Sequence, residues 1–91
     1  MITLSKLVED VKDKVVSPGE LLNDALVNKK VVTVKYFADE SGLSFSELFK
    51  ILHKDEPIDE GVAETLGKIT DVDAKTWLEM QAEYNEANNQ N

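Results

Sequence analysis

Gly42 constrains this chain more than any other residue, because of what stands on either side of it. Residues 33–41 run Thr-Val-Lys-Tyr-Phe-Ala-Asp-Glu-Ser, and residues 43–52 run Leu-Ser-Phe-Ser-Glu-Leu-Phe-Lys-Ile-Leu. Thr33 is a good N-cap, and glycine tolerates the left-handed backbone just past a helix end, so the first run predicts a short helix closed at Gly42. Ser44 with Glu47 three residues on predicts a capping box at the head of a second helix. Two helices joined so tightly cross at close range. That demands a small residue, supplied by Ala38, and apolar residues to lock the pair, supplied by Phe37, Leu43, Leu48 and Ile51. The charged residues Asp39, Glu40, Glu47 and Lys50 fall outside this set. The stretch reads as a helix-turn-helix, an arrangement whose second helix commonly enters the major groove of DNA.

The rest of the pattern is also helical. Leu4, Leu7, Val8, Val11 and Val15 recur at helical spacing, which predicts a helix over 4–14, with an extended connector through Val15 and Val16 as the alternative. Ser17-Pro18-Gly19-Glu20 has the order of a capping box with proline at the first helical position. It predicts a helix carrying Leu21, Leu22, Ala25 and Leu26 to about Asn28, with Lys29 and Lys30 suiting its C-terminal dipole. Residues 54–57 read as a loop. Asp59 opens a helix through Ala63 and Leu66 to about Ile69, and Asp73 caps a last helix that frays from Glu86. Residues 1–16 are thus an N-terminal segment of open structure, 17–87 a single domain, and 88–91 a frayed polar tail.

Length and composition narrow the function. Ninety-one residues support one modest core. With no cysteine, the chain has no disulfide, no thiolate metal site and no cysteine nucleophile. It shows neither a run long enough to span a membrane nor a secretory leader, so the expectation is a cytoplasmic protein with no membrane partner. The formal net charge is −8, and none of the ten cations is arginine. The acidity is uneven: residues 59–91 carry two lysines against eight acids, whereas residues 1–32 balance five against five. Neutralising phosphates needs cations, so such a chain binds DNA only through a locally basic face.

The helical hairpin and its flanks together resemble the HigA-type antitoxins, lambda-repressor-like proteins of the XRE family. The family typically reads His-Pro-Gly-Glu near its start, then a Leu-Ser-x-x-x-Leu-Ala helix, and closes on Pro-x-x-Trp-Leu-x-Leu-Gln-x-x-Tyr. Here Pro18-Gly19-Glu20, the run from Thr33 without a gap, and Trp77-Leu78-Glu79-Met80-Gln81 with Tyr84 carry the likeness. Ser17 stands where the family has its histidine, and Val34 where it often has glutamine. The resemblance implies an all-α, compact five-helix lambda-repressor-like helix-turn-helix domain, with a further helix or extended segment at the N-terminus. It also implies a homodimer that binds operator DNA and neutralises a toxin protein.

By that match, Thr33, Val34, Ser44, Phe45, Ser46, Glu47, Phe49, Lys50, His53 and Lys54 are the candidate DNA-binding residues. Trp77, Leu78, Met80, Gln81 and Tyr84 form the candidate dimer interface, with Trp77 suited equally to plain core packing. A glutamate at 47 accepts from cytosine N4 but repels phosphate, and bidentate arginine to guanine is unavailable. Phe45 and Phe49, if exposed, form an apolar patch better matched to a protein. The competing expectation is therefore an acidic HigA-like protein-binding module whose DNA-reading face is degenerate.

Catalysis, cofactors and metals have no clear signature. His53 beside Asp55 and Glu56 has no recognised ligand spacing, Asp71-Val72-Asp73 lacks the rest of a calcium loop, and Asp59, Glu60 and Glu64 read as a solvated helix face. No nucleophile–base pairing is visible, so the expectation is not an enzyme.

Overall fold

Local capping chemistry sets most helix boundaries in the computed structural model, which describes residues 1–54 and 56–88. Six helices follow one another: α1 (Ser5–Asp10), α2 (Pro18–Asn23), α3 (Val34–Ser41), α4 (Phe45–Lys54), α5 (Glu60–Ile69) and α6 (Ala74–Asn88). The fold of the described residues is all-α, without strands. Ser17 caps α2 in a complete capping box with Glu20. Asp59 caps α5 by accepting from Val62 N at 2.9 Å, and Asp73 caps α6 by accepting from Thr76 N at 2.8 Å. No described helix is long and apolar enough to cross a membrane.

One continuous core runs through the molecule. Leu21, Leu22, Ala25 and Leu26 of the second helical stretch meet Phe37, Leu48, Ile51, Ala63, Leu66 and Trp77, all buried. α5 packs along α6, and α2 packs against α4. The α5–α6 approach is close enough that a Cβ on Gly67 would lie 2.8 Å from Ala74 N. The Cα radius of gyration, 12.1 Å, is that of a compact chain of this length.

Three boundaries differ from the sequence reading. α1 stops at Asp10 rather than running to residue 14, because Val11, Val15 and Val16 are β-branched and favour the turn and extended connector seen there. Beyond Asn23 the second helix widens into a π turn over Asp24–Asn28, where Lys29 N donates to Asp24 O at 2.8 Å. The last helix does not fray at Glu86. It continues to Asn88, held by side-chain amides one turn apart: Gln81 Nε2 donates to Asn85 Oδ1 and Asn88 Nδ2 to Tyr84 O, both at 2.9 Å. Of the expected polar tail 88–91, Asn88 closes this helix and residues 89–91 lie outside the described residues. So does Asp55 of the expected 54–57 loop, whose first residue, Lys54, instead ends α4.

The N-terminal segment belongs to the core. Ile2 and Leu4 are buried, and Leu7, Val8, Val11 and Val16 pack partly against the same cluster. A single parallel bridge joins Ile2 to Thr70: Ile2 N donates to Ile69 O at 2.8 Å, and Asp71 N donates to Ile2 O at 3.1 Å. Leu4, at the head of α1, has no side-chain acceptor of its own, and Asp71 serves instead. Its carboxylate accepts from Leu4 N (2.6 Å), Ser5 N (2.9 Å) and Ser5 Oγ (2.6 Å). Partial desolvation opposes ionisation of Asp71, but the Ser5 hydroxyl and the two amides outweigh it and hold the carboxyl below its ordinary range.

Candidate nucleic-acid interface

The α3–α4 pair is built from short-range hydrogen bonds. Thr33 Oγ1 accepts from Tyr36 N at 3.0 Å and starts α3. Gly42, at φ 74°, ends it, with its N–H donating to Ala38 O at 3.0 Å. A side chain at Gly42 would meet open space but a strained backbone, so conformation is what requires glycine there. Ser44 Oγ then accepts from Glu47 N (3.1 Å), while Glu47 Oε1 accepts from Ser44 N (3.2 Å). Phe37 and Ala38 are buried, as the crossing requires.

α4 buries Leu48, Ile51 and Leu52 and turns its other residues outward. Asn23 Nδ2 donates to Leu52 O at 3.2 Å, fastening the end of α4 to α2. Ser44, Ser46, Glu47, Lys50, His53 and Lys54 are exposed, as is Thr33, while Val34 is half-buried. Phe45 and Phe49 are 62% and 53% exposed. One turn apart on the helix, they share an apolar groove of about 140 Å³ with Val27, Val34, Leu48, Leu52 and His53. The Phe49 and His53 rings lie 4.6 Å apart, tilted by 48°. The structure thus brings nine of the ten candidate residues to solvent and leaves Val34 partly covered at the groove wall.

The π turn contributes a wall that the sequence did not advertise. Its wide ladder, followed by Val31 N donating to Ala25 O at 2.8 Å and by Lys30 at φ 51°, leaves Val27 exposed beside the two phenylalanines. A π turn has no cap-like residue code, and the polar run Asn28-Lys29-Lys30 signals only that a helix is ending.

Charge on this face is balanced rather than basic, with three lysines and three acids in residues 33–54. Lys35 is engaged with Asp39 at 3.0 Å, an exposed pair of small energetic value. Glu47 is engaged in the capping box. Lys50 and Lys54 are in no ion pair among the described residues, so the available cations gather with His53 on the C-terminal half of α4.

The candidate dimer residues divide. Trp77 is completely buried, its Nε1 donating to Val72 O at 3.1 Å and lying 3.4 Å from Thr70 Oγ1. Gln81 is buried too, its Oε1 accepting from Ile58 N at 3.0 Å. Both are occupied inside the chain and leave the outward set. Leu78, Met80 and Tyr84 are half-buried. Met80 lines a groove with Val8, Val11 and Val16, so the N-terminal segment supplies part of the cover that a second copy was expected to give. Asp71 and Asp73 are spent on capping α1 and α6. Among the described residues, no group of three or more His, Asp or Glu side chains is placed to hold a metal.

No protein-family profile matches the chain, and neither the curated proteins nor the solved structures yield a match to it.

Proposed function

We propose that the chain is a HigA-like antitoxin and transcriptional regulator, a helix-turn-helix protein that binds operator DNA as a dimer by laying α4 in the major groove. The observation that carries this reading is the α3–Gly42–α4 unit. Two short helices, each capped by its own residues, meet at a left-handed glycine, and the second presents Ser46, Lys50 and His53 opposite its buried stripe. Helices in this relation dock with the second in the groove and the first across the backbone. Lys50 and Lys54 suit phosphate contact, and Ser46 suits a base edge. The likeness of Pro18-Gly19-Glu20 and of Trp77-Leu78 with Tyr84 to the antitoxins supports the assignment to that family and, with it, a toxin partner.

Fluorescence anisotropy of the pure protein on the DNA upstream of its own gene, titrated at several salt concentrations, tests the reading. Binding that weakens with a slope of several phosphates supports it. An absence of binding at the lowest salt removes it.

A second reading is favoured by the exposed pair Phe45 and Phe49 and the groove behind them. An apolar patch of this kind suits a protein surface, and the −6 balance of residues 59–91 suits a basic partner such as a toxin nuclease. In that case the same face grips protein and leaves DNA alone.

A further inference from the structure

We propose that Phe45 and Phe49 read thymine methyl groups, so that α4 selects thymines by apolar contact instead of by hydrogen bonds; the inference rests on the DNA-binding reading above. On the major-groove edge the thymine C5 methyl is the distinctive apolar feature, and phenylalanine is one of the side chains suited to it. Of the residue types that read bases by bidentate hydrogen bonds, α4 offers only lysine outside the capping box, and Lys50 and Lys54 are assigned to phosphate. The chain has no arginine, and α4 has no asparagine or glutamine. The Glu47 carboxylate accepts from the Ser44 amide and is turned back toward the helix start.

What α4 does offer is two large rings, each more than half exposed and one helical turn apart. Val27, Val34, Leu48 and Leu52 line the same groove and back them with apolar surface. A separation of four residues along the helix is a rise of about 6 Å. Base pairs stack at about 3.4 Å, so the two rings span about two base-pair steps. Charge complements the apolar contact: among the described residues Lys50 and Lys54 are in no ion pair, and they stand on the same helix for the flanking phosphates. The expected half-site therefore carries two thymines about two steps apart, on either strand.

The test starts from a randomised duplex pool selected on the full-length protein at low salt. The winning duplex is then resynthesised with deoxyuridine in place of single thymidines, which removes one methyl and keeps the pairing edge. Each methyl read by a ring is expected to weaken binding about fourfold when lost. Phe45→Ser and Phe49→Ser, checked for helicity by circular dichroism, are expected to bind thymine and uracil duplexes alike at the position each ring reads. Equal wild-type affinity for the two duplexes overturns methyl reading while leaving DNA binding intact. A thymine preference that persists in both serine variants overturns the assignment to these residues. If the pool is not retained at all, DNA binding itself falls, and the inference falls with it.

Discussion

Trp77 and Phe49 are both large aromatic residues on helices of one small domain, and the molecule treats them in opposite ways. Trp77 is sealed: nothing of it reaches solvent, and its indole N–H is satisfied by Val72 O beside the Thr70 hydroxyl. Thr70 in turn donates to Leu66 O at 2.7 Å and accepts from Val72 N at 3.2 Å, which ties α5 to α6. Phe49 is 53% exposed, touches the His53 ring, and with Phe45 leaves a groove open between α4 and the π turn. Around Trp77 the sequence is spent on stability. On α4 the domain leaves apolar surface in water, where packing within the chain gives little reason for it. The contrast teaches that an aromatic residue in this chain signals core only where its polar atom and its whole surface are accounted for.

Four experiments break or sharpen that contrast. The largest effect is expected from Trp77→Ala, which removes a wholly buried ring and the indole N–H that donates to Val72 O; a loss of ~3–5 kcal/mol should appear in the denaturant midpoint. A loss below about 1 kcal/mol would show that the sealed region collapses around the gap.

Asp71→Ala comes next, because it strips three hydrogen bonds from the head of α1. A cost of about 1 kcal/mol is expected, read as faster amide exchange at Leu4 and Ser5 while the Trp77 region stays protected. Acid should do the same without a mutation. The folded carboxyl titrates below its ordinary value of 3.8, so its contribution is complete above that value and is lost as pH falls through the lower, folded one. Protection of the Leu4 and Ser5 amides that is unchanged well below pH 3.8 would contradict the assignment.

Phe49→Ser should move stability by no more than about 0.5 kcal/mol, since the ring is mostly exposed, yet weaken whatever ligand α4 holds. A large stability loss would place Phe49 with Trp77 and erase the comparison. The smallest effect is expected from Glu47→Gln. Glutamine also serves in a capping box, so the fold should be indifferent, while losing one negative charge from α4 should tighten non-specific DNA binding about twofold at low salt. No change there would count against a groove-facing α4.

What could be read from the sequence was whatever is encoded within about four residues. Ser17, Thr33, Ser44, Asp59 and Asp73 each accept from a backbone amide three positions on, and each cap was visible as a residue type followed by an apolar run. Gly42 was visible for the same reason. The exposure of Phe45 and Phe49 followed from their placement against Leu48, Ile51 and Leu52. Interactions across the chain were not visible. Nothing near Asp71 announces that it caps a helix starting at Ser5, and nothing in Ile2 names Thr70 as its partner. Gln81 read as an outward residue of α6 because its acceptor role depends on where the Ile58 amide passes. The groove was half legible: its phenylalanines were expected, but its Val27 wall depends on a backbone widening that no single residue type encodes.

The Ile2–Thr70 bridge has a consequence for the order in which the molecule assembles. The caps of α2 to α6 close loops of three residues, whereas the tie between Leu4 and Asp71 closes one of 67. Closing a long loop costs entropy before any contact repays it, so such pairings tend to form late. The bridge is therefore expected to be the last register set during folding and the first released on unfolding. Its release removes Ile2 and Leu4 from the core together, so the whole N-terminal segment should come and go as one cooperative unit.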